Sequence, residues 1–198
     1  MKTTLLAIAT LCIATITSAQ GINPGDGLPA AEVVLKNTNG KPTSVKNAAG
    51  KNGLLVIFSC NTCPYVVKNE PIIKKTLEFA AAHSIGAVVI NSNEARRDGD
   101  DSFDAMAQYA KKQRFLVPYL VDENSKLADL FGANHTPEIF LFNSNMKLVY
   151  KGAMNDNPGN PKEYKQMYIE DAINAMVAGK EVDPKTTKSI GCSIKRKA

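Results

Sequence analysis

The chain has 198 residues, of which 44% are hydrophobic and 22% are charged, and its net charge is +5. The composition excludes a disordered chain, a collagen-like chain and a disulfide-dense mini-protein, and the length corresponds to one domain with a buried core. The charge pattern also argues against a nucleic-acid-binding face. Residues 20–179 are neutral, and the excess positive charge lies in the first 19 and the last 19 residues.

The first 19 residues are typical of a secretory signal peptide. Lys2 supplies the positive start, residues 5–16 form an uncharged apolar stretch, and Thr17 and Ala19 are small residues at the positions that a signal peptidase reads. The apolar run is too short for a transmembrane anchor, which takes about 20 apolar residues. We therefore expect cleavage before Gln20, an exported (periplasmic or secreted) protein, and no stable membrane association of the mature chain.

The remaining residues predict strands that alternate with helices. Residues 20–30 are rich in Gly and Pro and predict a flexible lead-in. Ser102 is the expected N-cap of the second helix, Gly132 ends the third, and Pro71 is expected to kink the first. In chain order the predicted elements are strands 31–36, 43–45 and 54–58, helix 64–83, strand 86–91, helix 102–114, strand 118–122, helix 125–131, strands 138–143 and 147–151, and helix 162–178.

This alternation, closed by a hairpin, predicts an α/β sandwich. We expect one domain over residues 31–179, followed by an extended basic tail over residues 180–198. The pattern shows no internal repeat and no linker between domains.

The motif Cys-Asn-Thr-Cys at residues 60–63 stands between a predicted buried strand and a predicted helix. Backbone N–H groups and the helix dipole stabilise a thiolate at a helix N-terminus. We therefore expect Cys60 to be the nucleophile of disulfide exchange and Cys63 to be the resolving thiol. The alternatives are a structural disulfide, whose loop would be too small to add much stability, and half of a zinc site, for which the chain has no second Cys pair.

The order of these features resembles the thioredoxin fold. Three strings, CNTCPYV at 60–66, VINSNE at 89–94 and SIGCSIK at 189–195, resemble the peroxiredoxin-like proteins of bacteria, of the alkyl hydroperoxide reductase type, in the redoxin branch. The resemblance covers about residues 25–197. It implies a thioredoxin-like three-layer α/β/α sandwich with an N-terminal β-hairpin extension and an inserted helix.

The resemblance also implies a binding site for substrate. Pro137, just before a predicted buried strand, would be cis and would face the cysteines, and Thr136, Pro137 and Pro64 would bind an extended peptide beside Cys60. A cis-proline would leave the backbone of Thr136 free to pair with that peptide. The alternative is an ordinary trans proline at the start of a strand.

Three further side chains are candidates for chemistry. Similarity to thioredoxin-like reductases of cytochrome maturation implies that Glu94 relays protons to the cysteines, and the alternative is a solvated loop acid. His135 could complete a copper(I) or zinc site with Cys60 and Cys63, or be a loop residue that tunes local charge. Cys192 could be an extra redox thiol, a free thiol or a site of intermolecular pairing.

The function that the sequence favours is therefore an exported thiol–disulfide oxidoreductase that uses no cofactor and no metal. Its partners would be protein thiols and disulfides, together with a reductant or oxidant partner protein. One alternative is a copper(I)-handling protein that uses Cys60, Cys63 and His135. A further alternative is a peroxiredoxin-like peroxidase with antioxidant activity. That enzyme requires a Thr or Ser three residues before its cysteine, where this chain has Ile57 and Cys60.

Overall fold

The structure of the protein is a computed structural model that describes residues 21–197. The predicted signal peptide lies outside the described residues. Short 3-10 turns lie at Lys46–Ala48, Glu94–Arg96 and Glu123–Ser125. The strands and helices are β1 (Val34–Leu35), β2 (Thr43–Ser44), β3 (Gly53–Ser59), α1 (Pro64–Ala82), β4 (Ile85–Asn91), α2 (Phe103–Gln113), β5 (Tyr119–Val121), α3 (Lys126–Phe131), β6 (His135–Thr136), β7 (Glu138–Asn143), β8 (Leu148–Gly152), α4 (Tyr168–Val177) and β9 (Cys192–Ser193).

A five-stranded mixed sheet in the order β5-β4-β3-β7-β8 forms the centre of the fold. Strand β3 is the middle strand, parallel to β4 and antiparallel to β7, and all seven of its residues are buried. A continuous apolar run of this kind is typical of a strand that is covered by other elements on both faces. Strands β1 and β2 form the predicted hairpin, and β6 pairs separately with β9.

Alternate side chains of β3 enter two different cores. Leu55 and Ile57 pack in the core that also contains buried residues of α1, α2 and α4. Leu54 and Val56 pack in the opposite core, which contains the buried face of α3. This division follows from the two-residue period of a strand, and it confirms the three-layer α/β/α arrangement.

The last helix begins later than the sequence predicts. Helix α4 starts at Tyr168, whereas the apolar pattern predicts a helix from residue 162. The residues before it form a loop that Asp156 holds. The Asp156 carboxylate accepts a hydrogen bond from the Lys165 N–H at 2.9 Å, and its own N–H donates to the Gln166 carbonyl at 3.2 Å. These contacts satisfy backbone groups that a longer helix would otherwise use.

The Gly- and Pro-rich lead-in packs on the domain along residues 21–30, although its composition predicts flexibility. The side chain of Ile22 is buried, and its N–H donates to the carbonyl of Phe131 at 3.2 Å. The N–H of Gly25 donates to the carbonyl of Leu148 at 2.8 Å. Two backbone hydrogen bonds therefore join this segment to α3 and β8.

The C-terminal segment also lies against the domain. Val182 and Ile194 are buried, and the Thr187 N–H donates to the carbonyl of Lys151 in β8 at 3.0 Å. The residues predicted as an extended tail therefore pack against the domain at Val182, Thr187 and Ile194. Within the described residues, no helix is both long enough and apolar enough to cross a membrane.

Candidate active site

Cys63, rather than Cys60, is the N-cap of helix α1. The helix begins at Pro64, and the Cys63 carbonyl accepts the first helical hydrogen bond, from the N–H of Val67 at 2.9 Å. Proline suits the first helical position because its fixed φ is already helical and its missing N–H would have no partner there. The predicted helix start at residue 64 is confirmed, and it makes Cys63 the residue at the helix N-terminus. Cys60 lies in the irregular segment between β3 and the helix.

The structure brings both cysteines of the motif to Thr136. Cys60 and Cys63 are 2% and 5% exposed. The Sγ of Cys60 lies 3.5 Å from the Thr136 hydroxyl, and the Sγ of Cys63 lies 3.3 Å from the Thr136 carbonyl oxygen, to which the protonated thiol donates. The Thr136–Pro137 peptide bond is cis, as expected. Pro137 is buried, whereas Pro64 is exposed at the entrance to the site.

Cys63 is the more acidic thiol of the pair, although the Thr136 carbonyl oxygen 3.3 Å from its sulfur suits the protonated form. Its pKa falls to about 4, mainly because the Cys60 thiol donates a hydrogen bond to it; the Cys192 thiol and the backbone N–H groups of Val66 and Cys192 add to this effect, while burial opposes it. The pKa of Cys60 is raised because its thiol gives that hydrogen bond, because it is buried and because Asp101 is negative. Cys60 therefore holds the proton that the pair shares.

Asp101 is a buried carboxylate beside the motif, and the sequence analysis missed it. Its Oδ1 accepts hydrogen bonds from the N–H of Asn61 at 2.9 Å and from Nδ2 of Asn91 at 2.7 Å. Its Oδ2 accepts one from Nδ2 of Asn93 at 2.9 Å. It lines the same shallow cavity, of about 190 Å³, as Cys60. The asparagines of the string VINSNE thus hold an acid beside the cysteines.

Glu94, the predicted proton relay, does not line that cavity. Its side chain turns towards the loop after β5, where Oε2 accepts a hydrogen bond from the N–H of Asn124 at 3.0 Å. The same oxygen lies 3.6 Å from Nε of Arg97, as an ion pair. The 3-10 turn that begins at Glu94 directs the side chain there. Because Glu94 is outside the cavity and Asp101 lines it, Asp101 is the buried acid of this site.

The proposed metal ligands are not brought together. Thr136 faces Cys60, and neighbouring residues of a strand point to opposite sides, so His135 is directed away from the sulfurs. The His135 N–H donates to the Glu138 carboxylate at 3.0 Å. In the part of the chain from 21 to 197, no three His, Cys, Asp or Glu side chains are grouped so that they could hold a metal ion. The copper(I) alternative therefore has no support from this geometry.

Strand β9 covers the edge that was expected to receive a substrate peptide. Cys192 stands opposite Thr136 in the antiparallel pair, and Ser193 stands opposite His135. The backbone beside Cys192 approaches so closely that a Cβ at Gly191 would lie 2.2 Å from the Thr136 carbonyl oxygen. The chain's own C-terminal segment thus occupies the strand position next to the cysteines.

Residues 23–168 match the Redoxin family model. The chain belongs to the Redoxin family. No curated protein matches this redoxin in sequence. A hypothetical protein of Sinorhizobium meliloti, SMc02350, is 31% identical, with 90% of this redoxin and 97% of that chain covered and a TM-score of 0.80. An uncharacterized conserved protein of Geobacillus kaustophilus is 28% identical, with 88% and 93% covered and a TM-score of 0.80.

More distant structures share the thioredoxin-like fold of this redoxin. A secreted disulfide oxidoreductase of Mycobacterium tuberculosis is 15% identical, with 75% of this redoxin and 96% of that chain covered and a TM-score of 0.53. Other structures at similar identity are named as peroxiredoxins or as thiol–disulfide proteins. The redoxin therefore has a fold that both classes of thiol enzyme use.

Proposed function

We propose that this redoxin is an exported thiol–disulfide oxidoreductase that works by dithiol/disulfide exchange at Cys60 and Cys63. The observation that carries the proposal is the pair of buried thiols, Cys60 and Cys63, that meet at Thr136, with Cys63 as the N-cap residue of α1 and with a lowered pKa. The names of several distant structures support this activity. The composition of the first 19 residues and the secreted distant neighbour support export.

In the proposed reaction the Cys63 thiolate attacks one sulfur of a substrate disulfide. A mixed disulfide forms, and the other substrate sulfur leaves as a thiolate that takes up a proton. Cys60 then loses its proton and attacks the Cys63 sulfur, which forms the Cys60–Cys63 disulfide and releases the second substrate thiol. Two electrons pass to the substrate, and a dithiol partner protein returns them to the redoxin. With an oxidant partner the same steps run in reverse.

Asp101 fits this sequence of steps as a positioning residue. While Cys63 is a thiolate, the negative charge of Asp101 helps to keep Cys60 protonated, because it raises the pKa of Cys60. Once Cys63 is part of a mixed disulfide, its negative charge is gone and Cys60 can ionise. The proton that Cys60 loses passes to the substrate thiolate that leaves, and Asp101 lines the cavity in which this occurs.

The experiment that tests the proposal assigns the roles of the two cysteines. Because Cys192 lines the same cavity as Cys60 and Cys63, both variants are made in the Cys192→Ser background. Cys63→Ser should abolish insulin disulfide reduction, whereas Cys60→Ser should keep the attacking thiolate and accumulate a mixed disulfide with the substrate. Retained turnover in both variants would exclude dithiol exchange at this motif. Accumulation by Cys63→Ser alone would make Cys60 the attacking thiol.

One observation favours peroxidase activity as a second candidate function. A peroxidatic cysteine requires a neighbouring Thr or Ser hydroxyl, which the residues three positions before each cysteine do not supply. The Thr136 hydroxyl lies 3.5 Å from the Cys60 sulfur and could take that place. The assay is consumption of hydrogen peroxide with a dithiol reductant, and the control is the Cys60→Ser, Cys63→Ser double variant. Consumption above that control would support a peroxidase, and equal rates would leave disulfide exchange as the activity.

A further inference from the structure

Cys192 reaches the active site because the C-terminal segment is folded against it. Its strand β9 pairs with β6, and the following residue pair continues the ladder, with the Ile194 N–H donating to the Asn134 carbonyl at 2.9 Å. Ile194 is buried in the core that contains α3. Packing on the domain therefore fixes the position of the Cys192 backbone.

Contacts on the other side of the segment fix it further. The Lys195 N–H donates to Oδ1 of Asn93 at 2.9 Å, and the Lys195 carbonyl accepts from the N–H of Ala95 at 2.8 Å. The Arg196 guanidinium forms a 2.7 Å ion pair with Asp129 of α3. The segment is thus held between the loop after β4 and the β6 edge, with Cys192 facing the cavity that also contains Cys60.

Cys192 shares one cavity with Cys60 and Cys63 at the N-terminus of α1. Cys192 stands opposite Thr136 in the strand pair, and the Thr136 carbonyl oxygen lies 3.3 Å from the Cys63 sulfur. The nearby Cys192 thiol also contributes to the lowered pKa of Cys63. The Cys60 sulfur lies 3.5 Å from the Thr136 hydroxyl. Cys63 therefore shares its cavity with two other thiols, one from its own motif and one from the C-terminal strand.

We propose that Cys192 is a third redox thiol, which exchanges with the Cys60–Cys63 disulfide to form a Cys63–Cys192 disulfide. The inference rests on the proposed function. In the step, the Cys192 sulfur attacks the Cys63 sulfur, the Cys63–Cys192 bond forms, and the Cys60–Cys63 bond breaks. Cys60 leaves as a thiolate and takes up the proton that Cys192 gives up, so no external oxidant or reductant is needed.

This exchange has a consequence for the substrate edge. A Cys63–Cys192 disulfide joins β9 covalently to the start of α1, directly beside Thr136. In that form, the backbone of Thr136 stays covered, and Cys60 is the free thiol. The oxidised redoxin therefore has two forms, which differ in whether the C-terminal segment can leave the site.

The direct test removes Cys60 and asks whether the other two sulfurs join. The Cys60→Ser redoxin is treated with glutathione disulfide, which accepts two electrons and becomes two glutathione molecules. We expect most of the protein to lose two hydrogen atoms as a monomer, and non-reducing peptide mapping to find Cys63 linked to Cys192. Cys60→Ala should behave in the same way, which guards against an effect of the serine.

The matched control is Cys63→Ser, which leaves Cys60 and Cys192 and should give no intramolecular disulfide. If the Cys60 variants yield only glutathione adducts or intermolecular dimers, the inference is overturned. Cys192→Ser separates this failure from that of the proposed function. If Cys192→Ser forms the Cys60–Cys63 disulfide and reduces insulin, while the Cys60 variants do not form the Cys63–Cys192 disulfide, only the redox role of Cys192 is rejected. Absence of insulin reduction in the wild type removes the proposed function.

Discussion

Gly191→Ala should release the C-terminal segment from the active site. The new Cβ would lie 2.2 Å from the carbonyl oxygen and 2.8 Å from the carbonyl carbon of Thr136. Both atoms belong to the backbone, so no rotation of a side chain can relieve the overlap. The C-terminal segment or β6 must move, and the pairing of β9 with β6 weakens.

The size of the effect follows from the cost of overpacking. Inserting a methyl group into a well-packed place costs about 1–3 kcal/mol. At about 2 kcal/mol, the population in which the C-terminal segment has left the site rises roughly 30-fold, since about 1.4 kcal/mol is a factor of ten. Cys63 is 5% exposed when the segment is in place, so its reaction with an external reagent depends on this opening.

The assay is the alkylation rate of Cys63 by iodoacetamide in the fully reduced protein, read by mass spectrometry of the peptide. Gly191→Ala should raise this rate roughly 30-fold. Gly159→Ala is the matched control, because its Cβ would meet no atom within 4 Å, and it should leave the rate unchanged. An unchanged rate in Gly191→Ala, or an equal rise in the control, would refute the idea that this segment covers Cys63.

Three further predictions concern charge, ionisation and helix capping. Asp101→Asn should lower the melting temperature by about 4–8 °C, because roughly 2 kcal/mol is lost from hydrogen bonds to a buried carboxylate. The control is Asp100→Asn, which should have little effect because Asp100 is exposed. In the reduced protein, one thiolate should persist as the pH falls and disappear only near the Cys63 pKa of about 4, as ultraviolet absorbance can show; loss near the ordinary cysteine pKa of about 8.5 would contradict it. Since this pKa is lowered from 9.0, its contribution to stability is complete above pH 9.0 and is lost as the pH falls through about 4, which urea unfolding can follow. Ser102→Ala should cost about 1 kcal/mol in thermal unfolding, because Ser102 accepts the Ala105 N–H at 3.3 Å.

The main elements of the fold could be predicted because local patterns determine them. The apolar run at β3 has only one suitable environment, a strand covered on both faces. The Ser102 side chain caps the start of α2. Gly132 has the backbone freedom that the end of α3 requires. The start of α4 could not be predicted, because Asp156 binds a backbone N–H group of the residues just before the helix, at Lys165. Apolar spacing alone carries no information on such a contact.

The candidate site was predictable in its motif but not in its details. Pro64 is a local signal that Cys63 caps the helix, because proline prefers the first helical position, and the predicted helix start at residue 64 already contains it. Asp101 was harder to find, because several acids follow β4 in the sequence. Only the folded loop shows that Asp101 is the acid that accepts hydrogen bonds from three asparagines. The position of Cys192 depends on pairing between β9 and β6, which are far apart in sequence.

The anchoring of the C-terminal segment has a practical side for anyone who prepares this protein. The backbone of Lys195 and the side chain of Arg196 are tied to the domain within a few residues of the cysteine cavity. An affinity tag joined directly after this anchored segment therefore begins close to that cavity, and a bulky or histidine-rich tag there can pull on β9 or bring foreign ligands to the sulfurs. Redox rates and metal titrations measured on such a fusion describe the tag as well as the protein, so material with a cleaved or absent tag is the appropriate reference.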